Sequence, residues 1–324
     1  MQTAWYERNG PAESVLQLGD KPIPALERGE VLVKLATSGV NPSDVKSRAG
    51  RPFAFDFVVP HSDGAGIIEA VSENVDKARL GERVWIWNGQ WQRQFGTAAE
   101  YIAVPENQAV RLDENIDFET AACFGIPGLT AAHAINLLKK IDTETILVTG
   151  AAASVGHYIT QMAVRDGRKV IATASKEKSQ IATDAGAFAS IDYKNEDVGT
   201  RVLELTDGAG VDVVIDMDFS STLRLIPSQA IRSYGTIFSY GSNDMGDLSV
   251  SFRDLLFKSM SLKFFLVYQL QRDEREKAIS TLEDFFLTGA AMTRISHTLP
   301  FADIVKAHEL VESGTANGNV VLEF

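Results

Sequence analysis

Thr145-Ile-Leu-Val-Thr-Gly150-Ala-Ala-Ala-Ser-Val-Gly156-His-Tyr158, and then Lys169-Val-Ile-Ala-Thr-Ala-Ser175, is the stretch that decides how this chain reads. Ile146, Leu147 and Val148 form a short apolar run of the kind a buried parallel strand needs. Tiny residues from Gly150 to Gly156 make a turn. Ile159, Met162 and Ala163 then recur at helical spacing, and Val170-Ile171-Ala172 gives the next apolar run. Strand, small-residue turn, helix, strand is the βαβ unit that receives dinucleotides. Its turn brings backbone N–H groups and a helix N-terminus to a pyrophosphate.

The turn departs from the usual glycine fingerprint, which has glycine where Ala151 and Ala153 stand. Gly156 keeps the place where helix and strand pack closely, and Gly150 can supply the tight turn. A methyl at Ala153 narrows the room for a diphosphate without closing it. As a bare pattern, the stretch also fits an ordinary tight crossover with no nucleotide.

Composition bounds the remaining possibilities. A chain of 324 residues is long for one core, so two domains are expected. With 31 Lys and Arg against 43 Asp and Glu, the net charge is −12, which argues against nucleic acid or an anionic membrane as a main partner. An anionic cofactor would need a local basic patch. A single cysteine, Cys123, excludes an internal disulfide and a cysteine-rich zinc site. The chain opens directly into strand-like sequence with no apolar leader, and no run approaches the ~18 apolar residues of a membrane span. A cytoplasmic location is the expectation.

The first part of the chain reads as β-rich. Strands are expected at 30–35, 65–71, 82–87 and 99–104, punctuated by Gly, Pro, Asn and Asp. Near residue 117 the character changes. Helical sequence begins at Phe118, a second helix runs over 130–138, and strands at 189–192, 211–216 and 235–239 then alternate with helical patterns at 177–185, 197–206 and 221–232. This alternation predicts a doubly wound parallel sheet. From about residue 263 the tail mixes a strand, helices at 272–288 and 301–313, and a final strand at 319–322.

These residues carry a family likeness. The chain resembles the medium-chain dehydrogenase/reductase superfamily, and most closely its zinc-free quinone oxidoreductase branch, the zeta-crystallin-like proteins. Gly39-Val40-Asn41-Pro42-Ser43-Asp44, Pro60-His61-Ser62-Asp63-Gly64-Ala65-Gly66, Gly81-Glu82-Arg83-Val84, Gly96-Thr97-Ala98-Ala99-Glu100-Tyr101 and Gly128-Leu129-Thr130-Ala131 all match segments of that branch, with His61 in place of a glycine. The resemblance implies an α/β fold: a Rossmann domain over 121–262, plus a β-rich GroES-like substrate domain over 1–120 that the tail from about 263–324 completes. It also implies a homodimer, with the apolar edge Leu262–Tyr268 pairing across a two-fold axis.

Zinc-dependent members place Cys, His and Cys at a catalytic metal. Here Asn41 and Ser62 stand at the first two positions, and Cys123 lies close to the third. No metal is expected. A loop His61 facing the cleft, with no second histidine near it, is the expectation for that residue.

Cofactor choice is read at the end of the second strand. An NAD enzyme carries an acid there. Ala174 holds that position, and Ser175, Lys176 and Lys178 follow. By resemblance Ser175 and Lys178 hold the 2′-phosphate of NADPH and Tyr193 lies beside the adenosine, although Lys176-Glu177-Lys178 is by itself an ordinary solvated helix start. The turn residues Gly150, Ala152, Ala153, Ser154, Val155 and Gly156 take the pyrophosphate. Tyr240, Gly241 and Ser242 line the cofactor cleft, Phe265, Val267 and Asn319 close the nicotinamide side, and Asn41 and Thr130 are the catalytic candidates. Asn41 and Thr130 also read as a turn cap and a helix cap.

No residue pair announces a general acid, with Tyr101 and His61 as the candidates. That silence fits reduction of a quinone or an α,β-unsaturated carbonyl, which is electrophilic without a metal. Trp85, Trp87, Trp91 and Phe95, with Phe53, Phe55 and Phe57, are candidates for an aromatic wall as well as for plain core. A catalytically weak NADPH-binding or structural protein of the same fold is the alternative reading.

Overall fold

Two units make up the chain in the computed structural model, which describes Met1–Phe324. The first comprises Met1–Ile126 and Thr293–Phe324, and the second comprises Pro127–Met292.

The first unit opens with β1 (Gln2–Trp5), which pairs antiparallel with β2 (Gln17–Asp20) across the short α1 (Ala12–Val15). The spine of its main sheet is β3 (Glu30–Val40). Along it Val31, Val33 and Leu35 are buried while Lys34 is exposed, the period-two pattern of a half-buried strand. The strand runs on to Val40, beyond the expected Leu35. At its far end a Cβ on Gly39 would collide with the Ala122 carbonyl, so only glycine fits. There follow α2 (Pro42–Gly50), β4 (Asp63–Val71), β5 (Arg83–Ile86), β6 (Tyr101–Pro105), β7 (Ala109–Arg111) and α3 (Phe118–Ala121). The sequence reading missed α2, which Asn41 caps and Pro42 opens at the first helical position.

The second unit begins with α4 (Leu129–Leu138), buried along its whole length. Six parallel strands follow: β8 (Thr145–Val148), β9 (Lys169–Ala174), β10 (Ala189–Asp192), β11 (Val211–Asp216), β12 (Ile231–Ser239) and β13 (Ser261–Phe264). Their order in the sheet is β10-β9-β8-β11-β12-β13. The helices between them are α5 (Ser154–Arg165), α6 (Ser179–Asp184), α7 (Val198–Leu205), α8 (Phe219–Thr222) and α9 (Phe252–Phe257), and α10 (Arg272–Leu287) closes the unit. Leu147, Ile171, Val202, Val214 and Ile237 meet in its core. The strand order reverses between β8 and β11. In an open α/β sheet the crevice beyond the strand ends at such a reversal is where ligands lie.

Two expectations need correction here. The helical pattern at 221–232 stops at Leu225: Pro227 cannot continue a helix, and Ile231 opens β12 opposite Val211. The Rossmann unit also does not end near 262. β13 is a strand of its parallel sheet, and α10 packs on α4, with the Thr281 hydroxyl donating to Asn136 Oδ1 at 2.9 Å.

The chain then returns to the first unit as β14 (Ile295–Pro300), α11 (Ile304–Glu312) and β15 (Asn319–Glu323). β15 lies between β14 and β3, parallel to the first and antiparallel to the second. Arg48 of α2, fully buried, pairs with Glu312 of α11 at 2.8 Å. No helix in either unit is long and apolar enough to cross a membrane.

Candidate active site

Where the sheet of the second unit changes direction, the turn after β8 enters α5. Gly150 takes φ +64°, a region open to glycine, and a Cβ there would collide with the Met217 sulfur. The Gly150 N–H donates to the Thr173 hydroxyl at 3.1 Å and the Ala151 N–H to the Thr173 carbonyl at 3.0 Å, which ties the turn to β9. Ala153 is the N-cap of α5 at φ −87°, so its methyl causes no backbone strain. No side chain caps that helix. Its first-turn N–H groups, on Ser154, Val155 and Gly156, are therefore available to an anion. A Cβ on Gly156 would run into the Gly150 carbonyl, so this glycine permits the close approach of helix and turn.

Asp216, fully buried at the end of β11, organises the neighbouring loops. It accepts from Thr149 at 3.0 Å, Thr222 at 2.5 Å, the Asp218 N–H at 3.0 Å and Ser239 at 2.8 Å. Burial pushes its carboxyl upward, and these four donors pull it back. One side chain thus pins the turn after β8 to the end of β12. Sequence reasoning missed it; the available signal was a carboxylate closing an apolar strand run.

Beyond Ser239, the backbone N–H of Tyr240 donates to the Asp216 carbonyl at 3.1 Å. Tyr240, Gly241, Ser242 and Phe265 line one cavity of about 620 Å³, joined by His133, Lys263, Gln269 and Glu274, which were not singled out from the sequence. The His133 and Phe265 rings meet edge to face at 4.8 Å, with Tyr240 and Phe265 at 6.1 Å. Burial, and then the charge of Asp216, holds the Tyr240 hydroxyl far above the ordinary tyrosine range. His133 follows Thr130 by one helical turn on α4, and that spacing was its only sequence signal. Thr130 is itself buried, and so is Val267, whose carbonyl accepts from Arg275 at 2.8 Å.

At the end of β9, Ala174 and Ser175 are buried, Lys178 is half-buried and Tyr193 is 53% exposed. Asp192 of β10 sits opposite Ala174 in the parallel register, which brings Tyr193 beside this strand end.

In the first unit Asn41 is a bracket for two buried carboxyls. Its backbone N–H donates to Asp44 at 2.8 Å and its side-chain amide to Asp63 at 2.8 Å. Burial raises Asp44 to about 7 against these bonds, and burial, then the neighbouring Asp44, raises Asp63 well above its usual range. The Asn319 amide is likewise in use, donating to the Arg294 carbonyl at 3.0 Å.

His61 does not face a cleft. It is fully buried, with Nδ1 2.9 Å from the Ser38 hydroxyl and Nε2 2.9 Å from Nε2 of His308. A second histidine is therefore beside it, supplied by α11 from the other end of the chain. Burial lowers His61 to about 3, so it stays neutral and is no general acid near neutral pH. Of the aromatic candidates, several are accounted for by packing within the first unit. Trp85 is core against Phe124, Phe53 packs on Tyr6, Phe57 packs on Phe95, and Trp87 donates to the Asn107 carbonyl.

Residues 27–114 match the family model for the alcohol dehydrogenase GroES-like domain, and residues 154–284 the model for zinc-binding dehydrogenase. A quinone oxidoreductase of Lama guanicoe is 30% identical over 328 residues, spanning 98% of this chain and 95% of that protein. Among solved structures, a mycobacterial protein complexed with NADPH superposes with a TM-score of 0.89 at 28% identity, and the Escherichia coli quinone oxidoreductase complexed with NADPH with 0.87 at 26%. Both likenesses cover 100% of each chain.

Proposed function

This chain belongs to the quinone oxidoreductase branch of the medium-chain dehydrogenase/reductase superfamily, and from that premise we propose that it is a zinc-independent, NADPH-dependent reductase of quinones or other conjugated carbonyls. The observation that carries the reading is the uncapped N-terminus of α5 beneath the Gly150 turn, placed where the strand order reverses. Its uncapped N–H groups and helix dipole suit a pyrophosphate. NADPH, when bound, supplies the hydride.

The chain's own groups hold and orient. The N–H groups of Ser154, Val155 and Gly156 take the pyrophosphate, beside the small side chains of Ala152 and Ala153. Ser175 and Lys178 take the 2′-phosphate, with Tyr193 against the adenosine. Tyr240 to Ser242, Phe265, Val267 and Thr130 shape the remainder of the cofactor's bed. For Asn41 and Asn319, whose amides already serve the first unit, the catalytic part of the first and the cofactor contact of the second rest on the family likeness alone.

The residues at the family's zinc positions do not fit a metal. The Asn41 amide is committed to Asp63. The buried Cys123 thiol is pushed well up by burial and lies 3.4 Å from the Glu119 carbonyl. A protonated thiol is no zinc ligand, and a serine hydroxyl is a poor one. A substrate that needs no Lewis acid follows, and with His61 buried and unprotonated and the Tyr240 hydroxyl held far from ionising, water supplies the proton.

We also read the sheet edge at β13 as the face taken by a second copy, because Phe264 there is 57% exposed and Leu266 just beyond is 41% exposed. Light scattering showing a monomer at micromolar concentration would reject that assembly. The activity is tested by following NADPH oxidation against a panel of quinones, enals and enones, with elemental analysis of the same preparation. Turnover of at least one panel member by zinc-free protein is expected. Undetectable NADPH binding at millimolar concentration, or one chelator-resistant zinc per chain, would overturn the reading.

A further inference from the structure

Between the end of β12 and the start of α9, residues 240–251 carry no helix or strand. Irregular segments of about 12 residues are uncommon in compact units and are often functional. Ser242, Asp244, Met245, Gly246 and Leu248 of this segment help line the cavity of about 620 Å³ that Phe265 shares. The stem is laced to its neighbours: the Tyr240 N–H donates to the Asp216 carbonyl at 3.1 Å and the Phe219 N–H to the Gly241 carbonyl at 3.0 Å. Farther along, the ties thin out. The Asp244 N–H reaches the Ser220 hydroxyl at 3.4 Å, and the Gly246 N–H bonds back to Asp244 at 2.8 Å. Leu248 packs on the core of the unit.

The strong hold on the middle of the segment is one carboxylate. Asp218 Oδ1 accepts from the Asn243 N–H at 2.8 Å, and Oδ2 accepts from the Asn243 side-chain amide at 2.9 Å. The Ser220 and Ser221 hydroxyls donate to the same two oxygens, at 2.5 and 2.7 Å. Asp218 stands at the N-cap of α8, where an aspartate ordinarily accepts from the first N–H groups of its own helix, yet its side chain caps nothing there. The carboxylate is turned to the segment after β12 instead.

We propose that Asp218 is a positioning residue, a latch that acts through Asn243 to hold this segment as a wall of the cavity and so sets the affinity for the nicotinamide half of NADPH. The inference rests on the NADPH reading above and deepens it. When a wall is formed only part of the time, the apparent dissociation constant rises by the inverse of that fraction. The adenosine end does not feel the latch. Under that reading it lies at β9, and β8 and β11 separate β9 from β12. Three strand spacings of about 4.8 Å put it roughly 14 Å from the β12 end.

The test pairs hydrogen exchange over residues 240–250 with calorimetric binding of NADPH and of 2′,5′-ADP, which lacks the nicotinamide half. Both are measured on the full-length chain and on Asp218→Ala, Asp218→Asn and Asn243→Ala. Asp218→Ala should speed exchange in the segment about fivefold or more and weaken NADPH about five- to tenfold, with 2′,5′-ADP held within about twofold. Asp218→Asn keeps one carbonyl oxygen for the Asn243 N–H and should fall between wild type and Asp218→Ala. Adding Asn243→Ala to Asp218→Ala should cost nothing more, because both changes break one contact. If Asp218→Ala does not fold, Asp218→Asn and Asn243→Ala carry the same comparison with smaller effects. Unchanged exchange, faster exchange with unchanged NADPH affinity, an equal loss for 2′,5′-ADP, or losses that add in the double variant would each overturn the proposal. If the NADPH reading itself is wrong, wild type binds neither nucleotide, and the inference falls with it.

Discussion

Nε2 of His61 and Nε2 of His308, 247 residues apart in the chain, lie 2.9 Å from each other and share one proton. Its position can be worked out. Thr97 donates its only hydroxyl proton to the Asp63 carbonyl at 2.6 Å, so Ser38 must donate to Thr97 at 2.8 Å. Ser38 then has nothing left for His61, whose Nδ1–H donates to it. The Nε2 of neutral His61 is therefore an acceptor, and His308 donates to it. The remaining His308 Nδ1 is a bare buried lone pair, and it has no partner.

Protonating either ring breaks this order, and burial lowers both groups, His61 to about 3. A histidine with a depressed folded value binds protons first in the unfolded chain. Stability is therefore lost as pH falls below about 6.5 toward about 3. His308→Gln should destabilise at pH 7, with a penalty that shrinks by up to about 1.4 kcal/mol per pH unit below 6.5. Urea unfolding of both proteins from pH 7 to pH 4 measures it. A penalty independent of pH would refute the proton count.

Asp44 has the opposite sign. Raised to about 7, its neutral form is the one the fold prefers. Its contribution is full below the unfolded value of about 3.9 and is lost as pH rises to about 7. Asp44→Asn should therefore gain stability relative to wild type as pH increases across that range. A difference that does not grow with pH would show that Asp44 is ionised in the fold.

Asn41 separates a structural from a chemical role. Asn41→Ala leaves the buried Asp63 carboxyl without its side-chain donor, although the Ile126 N–H still reaches it at 3.0 Å. A loss of about 1–3 kcal/mol in unfolding free energy is expected. If stability is unchanged while turnover collapses, the bracket is incidental and the chemistry is primary.

Gly156, at the turn after β8, should respond differently from Ala153. Gly156→Ala forces its methyl onto the Gly150 carbonyl, and overpacking against backbone costs about 1–3 kcal/mol or more, with cofactor binding lost. Ala153→Gly has no strain to relieve at φ −87°, so its NADPH dissociation constant should move only modestly. Calorimetry on the pair decides it; a large gain for Ala153→Gly would mean that the methyl blocks the site.

If Lys178 holds the 2′-phosphate as proposed, Lys178→Ala should weaken NADPH about tenfold and leave NADH nearly unchanged, since NADH has no 2′-phosphate to make a charge-assisted bond with it. Equal losses for both nucleotides would remove Lys178 from the phosphate site.

The parallel sheet was legible because its strands are short apolar runs set at regular spacing between helical patterns; β8, β9, β10 and β11 stand where Ile146, Val170, Ile191 and Val213 announced them. The turn after β8 was legible because backbone geometry demands small residues there. What stayed hidden depends on contacts distant in sequence. Nothing near His61 announces His308, and nothing near Asp216 announces that three separate hydroxyls converge on it. The cavity around Phe265 was half visible, since Tyr240 and Ser242 follow a strand end, whereas Lys263 and Glu274 look like ordinary surface charges. The end of the Rossmann unit was misplaced because the edge strand β13 and α10 carry no composition change at their borders.

The insertion of the second unit into the first sets a timetable for synthesis. One edge of β3 is shared by β6, which pairs with residues 30–34, and β15, which pairs with residues 37–40. The first partner is translated before the second unit, the second only after it. Until residue 323 leaves the ribosome, the Thr37–Val40 edge stands open and adhesive, while every residue of the parallel sheet has already emerged. Nascent chains stalled or clipped near Gly318 should then carry a finished second unit on an unfinished first one, a form suited to capture by chaperones and to proteolysis.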